Sequence, residues 1–461
     1  MKKTRLFCLI YTVILLAQCF MLPVNATSVA QGADTLDGAV PLNAAKVEGT
    51  TAKSVVLYEL GSDTLVYAFA PDERVDPSGM NKIMTALLAL ELGDLESMVT
   101  VTRSALDSVE IGAMSAGLKV EEQISLKDLL YCMMVGSAND AAAVIADHIS
   151  KDQASFVGLM NQRAMELGCT DTQFMNANGL SHEKQYTTAR DLAKITKAAL
   201  ENPTFVELFS AVSYTVPATN KSEQRELKTT NYMISKESVR TEFDERVTGG
   251  KTGALTTTDR SLICTAEQGD SKYLSVVMSA KGSVNGNAVT SFGNFADTRK
   301  LLDFAFGQYG VRQLLYAGQA MEQFSVEGGQ NDVIGCPSGD LYSALPKEML
   351  IEDVRFQYQP EALKAPIKEG QIIGTIEVWY QDNCVGQCDM LAMFDVHQPG
   401  THDLILMPTA EETANRNWIT VLLIAGIAVL GVVLIFVLVL FIRRRRILKQ
   451  IERRHKLIRE G

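Results

Sequence analysis

Residues 76–90 read DPSGMNKIMTALLAL, from Asp76 to Leu90. Ser78 follows Pro77 directly before an apolar run, which places it to cap a helix. KIMTALLALEL is apolar on most sides. Such a pattern predicts a helix buried all round rather than one lying on a surface. Lys82 stands at the start of that helix, at the edge of a core, so the stretch raises a chemical question as well as a structural one.

The flanking sequence supplies the rest of the fold. Upstream, AKSVVLYEL and DTLVYAFA alternate around Gly61 and Ser62, which predicts a β-hairpin. Before it, residues 27–50 are rich in Ala, Gly and Thr and read as a loose lead-in. Downstream, SLKDLLYCMMV, the GSAND turn, AAAVIADHI and FVGLMNQRAMELG predict successive helices. Asn139 or Asp140 can cap the second of these, Gly168 stops the third, and Thr187 or Thr188 opens the next. RVTGGKTG, DRSLICTAEQ and KYLSVVMSA predict three strands, followed by a helix over 297–307. Two strands, many helices and three strands predict an α+β domain, with one antiparallel sheet built from both ends and packed on helices. From about Val311 the texture changes to short strands and turns, a small all-β domain.

Both ends of the chain have their own character. Residues 1–30 carry Lys2, Lys3 and Arg5, then LFCLIYTVILLAQCFML, then small residues around Ala26 and Ala30. This reads as a secretory signal peptide, the alternative being an uncleaved anchor. Ile419 to Ile442 holds no charge, and that length crosses a hydrocarbon layer of ~30 Å. RRRRILKQIERRHKLIREG follows, and basic residues beside a span stay cytoplasmic. The expected layout is therefore signal 1–30, main domain 45–310, β domain 311–397, stalk 398–418, transmembrane helix 419–442 and basic cytoplasmic tail 443–461, with the bulk of the chain outside the cell membrane.

The formal charge of −11 hides an asymmetry. Setting aside 3 basic residues in the leader, and 9 basic and 2 acidic residues in the tail, leaves 31 basic against 52 acidic, a net of −21. An acidic ectodomain argues against nucleic acid as a partner. Of the eight cysteines, Cys384 and Cys388 in QDNCVGQCD are the expected disulfide pair, and the other four beyond the leader read as buried thiols. Five scattered histidines form no metal-ligand pattern, and nothing in the chain calls for a cofactor. Oligomeric state is not legible.

Three short motifs occur in order: GMNK ending at Lys82, Ser137-Ala138-Asn139, and Lys251-Thr252-Gly253. Taken singly, each has an ordinary reading as a solvated helix-start lysine, a capping loop or a turn. Their joint order on a helix start, a helix–helix loop and a strand matches the S-x-x-K, S-x-N and K-T-G set of penicillin-recognising serine enzymes. With KIMTALLAL, GSANDAAAVIA, FMNANGLSHEKQYTTARDLAKI, GGKTGALT and APIKEGQIIGTIEV, the chain from about 45 to 395 resembles the D-alanyl-D-alanine carboxypeptidases, the low-molecular-weight penicillin-binding proteins. The resemblance implies peptidoglycan stem peptides ending in D-Ala-D-Ala as substrate, and β-lactams as acylating ligands where a nucleophile is present.

The chemistry accounts for the residue types. A serine hydroxyl needs a neighbour to take its proton, and a lysine does so once burial and a nearby cation lower its pKa. Lys82 fits that base. Ser137 can relay a proton to the leaving amine, and Asn139 can hold the substrate amide. Lys251 and Thr252 suit the terminal carboxylate, and Gly253 lets an edge strand approach the substrate. By resemblance, the oxyanion is held by the backbone N–H groups of residue 79 and Ala254.

Where the resemblance places the nucleophilic serine, three residues before Lys82, this chain has Gly79, with Ser78 one place earlier. Two expectations compete. Either Ser78 substitutes after a local adjustment of the helix, or the acyl-enzyme chemistry is impaired and a ligand groove remains. A displacement of one residue moves a Cα by ~3.8 Å, and ~1 Å of misplacement already costs about a hundredfold in rate. A third reading is a membrane-anchored wall or β-lactam sensor. Asn81 beside the lysine, where Thr is usual, and Thr248 opening the KTG strand, where Asp is frequent, are smaller departures. The single S-x-x-K, Ser181 to Lys184, falls in the GLSHEK loop and reads as chance.

Overall fold

The computed structural model describes residue 36 and residues 41–237, 241–285 and 288–400. The leader, all but the first residues of the stalk, the apolar run 419–442 and the basic tail lie outside the described residues.

Five strands form one antiparallel sheet. They are β1 (Ser54–Glu59), β2 (Thr64–Phe69), β3 (Val247–Ala254), β4 (Asp259–Gln268) and β5 (Ser271–Lys281), in the order β2-β1-β5-β4-β3. The two N-terminal strands thus pair with the late ones, as the strand–helix–strand order predicts. The central strands are apolar on both faces because both faces are covered. Val56 and Tyr58 of β1 join one core while Val55 and Leu57 join another, and β5 divides Leu274 and Val276 from Tyr273 and Val277 in the same way. The strand carrying the KTG triplet, β3, is the sheet's edge.

The helices on one face are α1 (Asn81–Leu92), α2 (Leu126–Met134), α3 (Asn139–Ser150), α4 (Gln153–Glu166), α5 (Ala189–Leu200) and α6 (Pro203–Ser210). Helix α1 packs against each of the other five, which is why its apolar residues have no polar face to alternate with. Residues 81–89 are all buried. Caps set the ends of its neighbours. Ser125, Asp152, Thr188 and Asn202 each accept a backbone N–H in the first turn that follows them. On the other face lies α7 (Gly293–Gln308), whose Phe295, Leu301, Leu302 and Ala305 complete the second core.

The next strand begins at Tyr309, and residues 309–396 form the small β domain. Segments 323–324, 333–337, 383–392, 372–380 and 354–360 pair in that order, all antiparallel, beside a two-stranded pair of Tyr309–Leu315 with Leu341–Pro346. It is fastened to the sheet through Thr64, whose hydroxyl lies 3.2 Å from the Ser343 hydroxyl and accepts the Ala344 N–H at 3.2 Å.

Two expectations need correction here. Cys384 and Cys388 are both free thiols. They sit four residues apart on one strand, roughly 13 Å at ~3.3 Å per residue, whereas a disulfide needs Cα atoms within about 7 Å. The lead-in is also less loose than its composition suggests. Leu36 is fully buried and its carbonyl accepts from Arg190, while Asn43 bridges to Tyr67.

Candidate active site

The turn Ser78–Met80 is a single 3-10 turn that feeds α1. Ser78 does not cap the helix as its sequence position suggests. Its side chain makes no capping bond, its φ is +51°, and its backbone N–H donates to Asp76 Oδ1 at 2.8 Å. A side-chain-bearing residue in the left-handed region is strained, and such strain collects at functional sites. The turn is held down by the loop after α4. Gly179 has φ +80°, and a Cβ there would fall 1.9 Å from the Ser78 carbonyl oxygen. Asn81, fully buried, donates from Nδ2 to the Asn176 carbonyl at 3.1 Å and to Gln185 Oε1 at 2.8 Å.

Lys82 points inward rather than into solvent, with 2% of its surface exposed. Its Nζ donates to Asn139 Oδ1 at 2.9 Å and to the Asn178 carbonyl oxygen. Both partners are neutral acceptors. Burial, and after it the positive charge of Lys251, pushes the Lys82 amine well below the usual lysine range, while Asp140 opposes the shift. A lysine in that state keeps a lone pair and can take a proton.

The Ser137-Ala138-Asn139 loop joins α2 to α3. Asn139 is the first residue of α3 and not its cap; Ala138 holds the cap position without a side-chain bond. The Asn139 amide spans the site instead, donating from Nδ2 to the Met114 carbonyl at 3.0 Å while its Oδ1 takes Lys82. Asp140 lies inside α3 rather than at its cap position, and its Oδ1 accepts the first-turn Ala141 N–H at 2.9 Å. Its carboxylate faces the 115–118 loop and accepts from Ser115 Oγ at 2.6 Å and the Ala116 and Leu118 N–H groups at 2.9 and 3.1 Å.

Lys251, 1% exposed, reaches from the sheet edge to this loop. Its Nζ donates to Ser137 Oγ at 2.9 Å and to the Thr252 carbonyl at 3.0 Å. Burial brings its amine down to about 7. The Thr252 hydroxyl lies 2.5 Å from that of Thr230. Gly253 lets the strand rest on the turn, since a Cβ there would stand 2.9 Å from Ser78 Oγ and 3.2 Å from the Gly79 nitrogen. Ala254 ends the strand and is exposed.

All three motifs therefore meet at one place. A Cβ on Gly79 would stand 3.0 Å from the Thr252 carbonyl oxygen, 3.5 Å from Gly253 Cα and 4.0 Å from Ser137 Oγ. Ser78 Oγ faces Gly253, and among the described residues it has no hydrogen bond to Lys82. Sequence reasoning missed three participants: the Asn178 carbonyl, the Met114 carbonyl and Thr230. The first two act through backbone, which leaves no residue-type signal. Thr230 sits in KTTN, where nothing distinguishes it from any surface threonine. The Ser181 hydroxyl, of the chance S-x-x-K, donates to Asp76 on the loop surface.

Comparison with known proteins agrees with this fold. The D-alanyl-D-alanine carboxypeptidase family profile matches residues 42–282, and that of the penicillin-binding protein 5 C-terminal domain matches 309–398. The D-alanyl-D-alanine carboxypeptidase DacF of Bacillus subtilis is 29% identical over 354 residues, covering 76% of this chain and 87% of its own. DacC of Escherichia coli is 27% identical, covering 76% and 85%. The crystal structure of penicillin binding protein 5 from Haemophilus influenzae superposes with a TM-score of 0.62 at 26% identity, covering 77% of this chain and 99% of that one. With a family match that spans more than half of its length and a fold that agrees, the chain belongs to the D-alanyl-D-alanine carboxypeptidase family.

Proposed function

We propose that this protein holds peptidoglycan stem peptides ending in D-Ala-D-Ala in the groove between α1, the Ser137 loop and β3, and that its acyl-enzyme chemistry is impaired because Gly79 occupies the nucleophile position. The observation that carries this reading is the contrast at one site. Lys82 is hydrogen-bonded to Asn139, and Lys251 to Ser137 and the Thr252 carbonyl, yet the point they surround bears no side chain. Removing the serine of a serine hydrolase costs roughly a million-fold in turnover, whereas the groups that bind the peptide are untouched.

The binding chemistry follows from the edge strand. A peptide laid along β3 adds a strand through main-chain hydrogen bonds, with its carboxylate toward Lys251 and Thr252 and its amide toward Asn139. The backbone N–H groups of Gly79 and Ala254 would cradle the carbonyl. What favours impairment over attack by Ser78 is the direction of the Ser78 hydroxyl, which abuts Gly253 and is not bonded to Lys82. The signal-like leader, the apolar run 419–442 and the basic tail after it support export and a single C-terminal membrane anchor, with both folded domains facing the wall. Equilibrium titration of a D-Ala-D-Ala stem peptide against its L-Ala-L-Ala counterpart tests the reading. Selective binding of the first, weakened in Thr252→Val, is expected, and equal binding of the two would overturn it.

A further inference from the structure

Of the two lysines buried at this site, Lys82 has no hydroxyl bonded to it, and Lys251 has one. Lys82 Nζ spends its hydrogen bonds on the oxygens of Asn139 and Asn178. Lys251 Nζ lies 2.9 Å from Ser137 Oγ and is oriented by the Thr252 carbonyl at 3.0 Å. Ser137 itself is held at φ +55°, in the left-handed region, and is 8% exposed. Its Oγ stands 4.0 Å from where a Cβ on residue 79 would be. With glycine at 79, no side chain separates that oxygen from a carbonyl cradled beside the turn.

We propose that Ser137, with Lys251 as its base, is the residual acylating nucleophile of this site. The proposal rests on the groove reading above, since a carbonyl must first be seated there. It assigns Ser137 a bond-forming role in place of the proton relay that the motif alone implies. The amine of Lys251, brought down to about 7 by burial, is divided between charged and neutral forms near neutrality, the condition under which a base works best. In its neutral form the hydrogen bond reverses, and Ser137 Oγ–H donates to Nζ.

The step balances with the groups the site supplies. Ser137 Oγ bonds to the carbonyl carbon of the penultimate D-alanine as its proton passes to Lys251 Nζ. The C–N bond to the terminal D-alanine breaks, and the ammonium returns that proton to the departing nitrogen. An ester on Ser137 remains. Water then adds to it, giving one proton to Lys251, and the ester oxygen recovers a proton as the acid leaves. With a β-lactam, the ring C–N bond opens in the same way, but the amine stays tethered and the ester persists.

The test uses the full-length protein incubated with benzylpenicillin, followed by intact mass and peptide mapping. Trypsin separates the candidates, because Ser78 lies in 75–82 and Ser137 in 128–151. The expected result is a slow adduct fragmenting to Ser137, formed faster as pH rises through about 7, and lost in both Ser137→Ala and Ser137→Gly. The glycine variant suits the positive φ, so misfolding does not explain its loss. The Gly79→Ser variant is expected to move the adduct to residue 79 and form it at least about a hundredfold faster. An adduct on Ser78 would overturn the proposal. So would no adduct on the natural chain beside an acylated Gly79→Ser variant, which would leave the groove reading intact. No adduct on either, together with no stem-peptide binding, would bring down both.

Discussion

Gly179 sits against Ser78 so closely that a Cβ on Gly179 would fall 1.9 Å from the Ser78 carbonyl oxygen. The backbone of the 176–185 loop and the turn before α1 are therefore one unit, and the conformation of Gly179, φ +80°, is one that side chains rarely adopt. Gly179→Ala should destabilise the fold by about 2–4 kcal/mol through clash and backbone strain together. Because the Asn178 carbonyl next door accepts from Lys82, peptide binding should weaken as well. Urea denaturation measures the first effect and peptide titration the second.

Gly79 is less confined than Gly179. Its backbone is not in the left-handed region, and an added Cβ meets the Thr252 carbonyl at 3.0 Å. The strand has to give by a few tenths of an ångström. We expect Gly79→Ser to change stability by less than about 1 kcal/mol while placing a hydroxyl among Lys82, Ser137 and the N–H groups proposed to hold the oxyanion. Calorimetric unfolding of the variant checks the stability, and a shift larger than a few degrees would mean that the strand cannot yield.

Lys251 predicts a pH dependence of stability. Its amine is at about 7 in the fold against 10.5 when unfolded, because burial disfavours the charged form. Between those values the unfolded chain binds a proton that the folded chain does not, so stability rises with pH. The slope from a single group is at most roughly 1.4 kcal/mol per pH unit. Below about 7 the cost no longer changes. Lys82, shifted in the same direction, adds to the slope. Lys251→Met should raise stability at pH 7 and flatten the rise between pH 7 and 10, which denaturant titrations at several pH values will read directly.

Thr230 is the participant that the motifs did not reveal. Its hydroxyl lies 2.5 Å from that of Thr252 and fixes the direction of the group assigned to the substrate carboxylate. Thr230→Val should weaken stem-peptide binding by roughly five- to tenfold, the worth of about one hydrogen bond. Stability should hardly move, since Thr252 is only half-buried.

The fold was legible where local pattern and tertiary environment agreed. Residues 82–92 are apolar on most sides, and α1 does lie among five other helices. Alternation in 54–59 and 64–69 gave the hairpin, and the run of three late strands gave the other half of the sheet. Capping was less legible. Thr188 caps α5 as expected, but Ser78 and Asn139 are cap-type residues whose backbone and side chains are committed to the site instead. That is where a local rule yields to a tertiary demand. The cysteine pairing failed because spacing in sequence says nothing of whether a strand keeps two residues apart. Site location was legible through the motifs, whereas the carbonyls of Asn178 and Met114 were not, since any residue type provides one.

The groove is proposed to bind stem peptide while position 79 denies it the usual chemistry. The most direct measurement is D-alanine release from a D-Ala-D-Ala stem peptide by the natural protein and by Gly79→Ser, at equal saturation by peptide. The expected result is that both bind the peptide and that the serine variant releases D-alanine at least about a thousandfold faster, a fraction of the roughly million-fold that a nucleophilic serine supplies. Equal rates of release from the two proteins would contradict it.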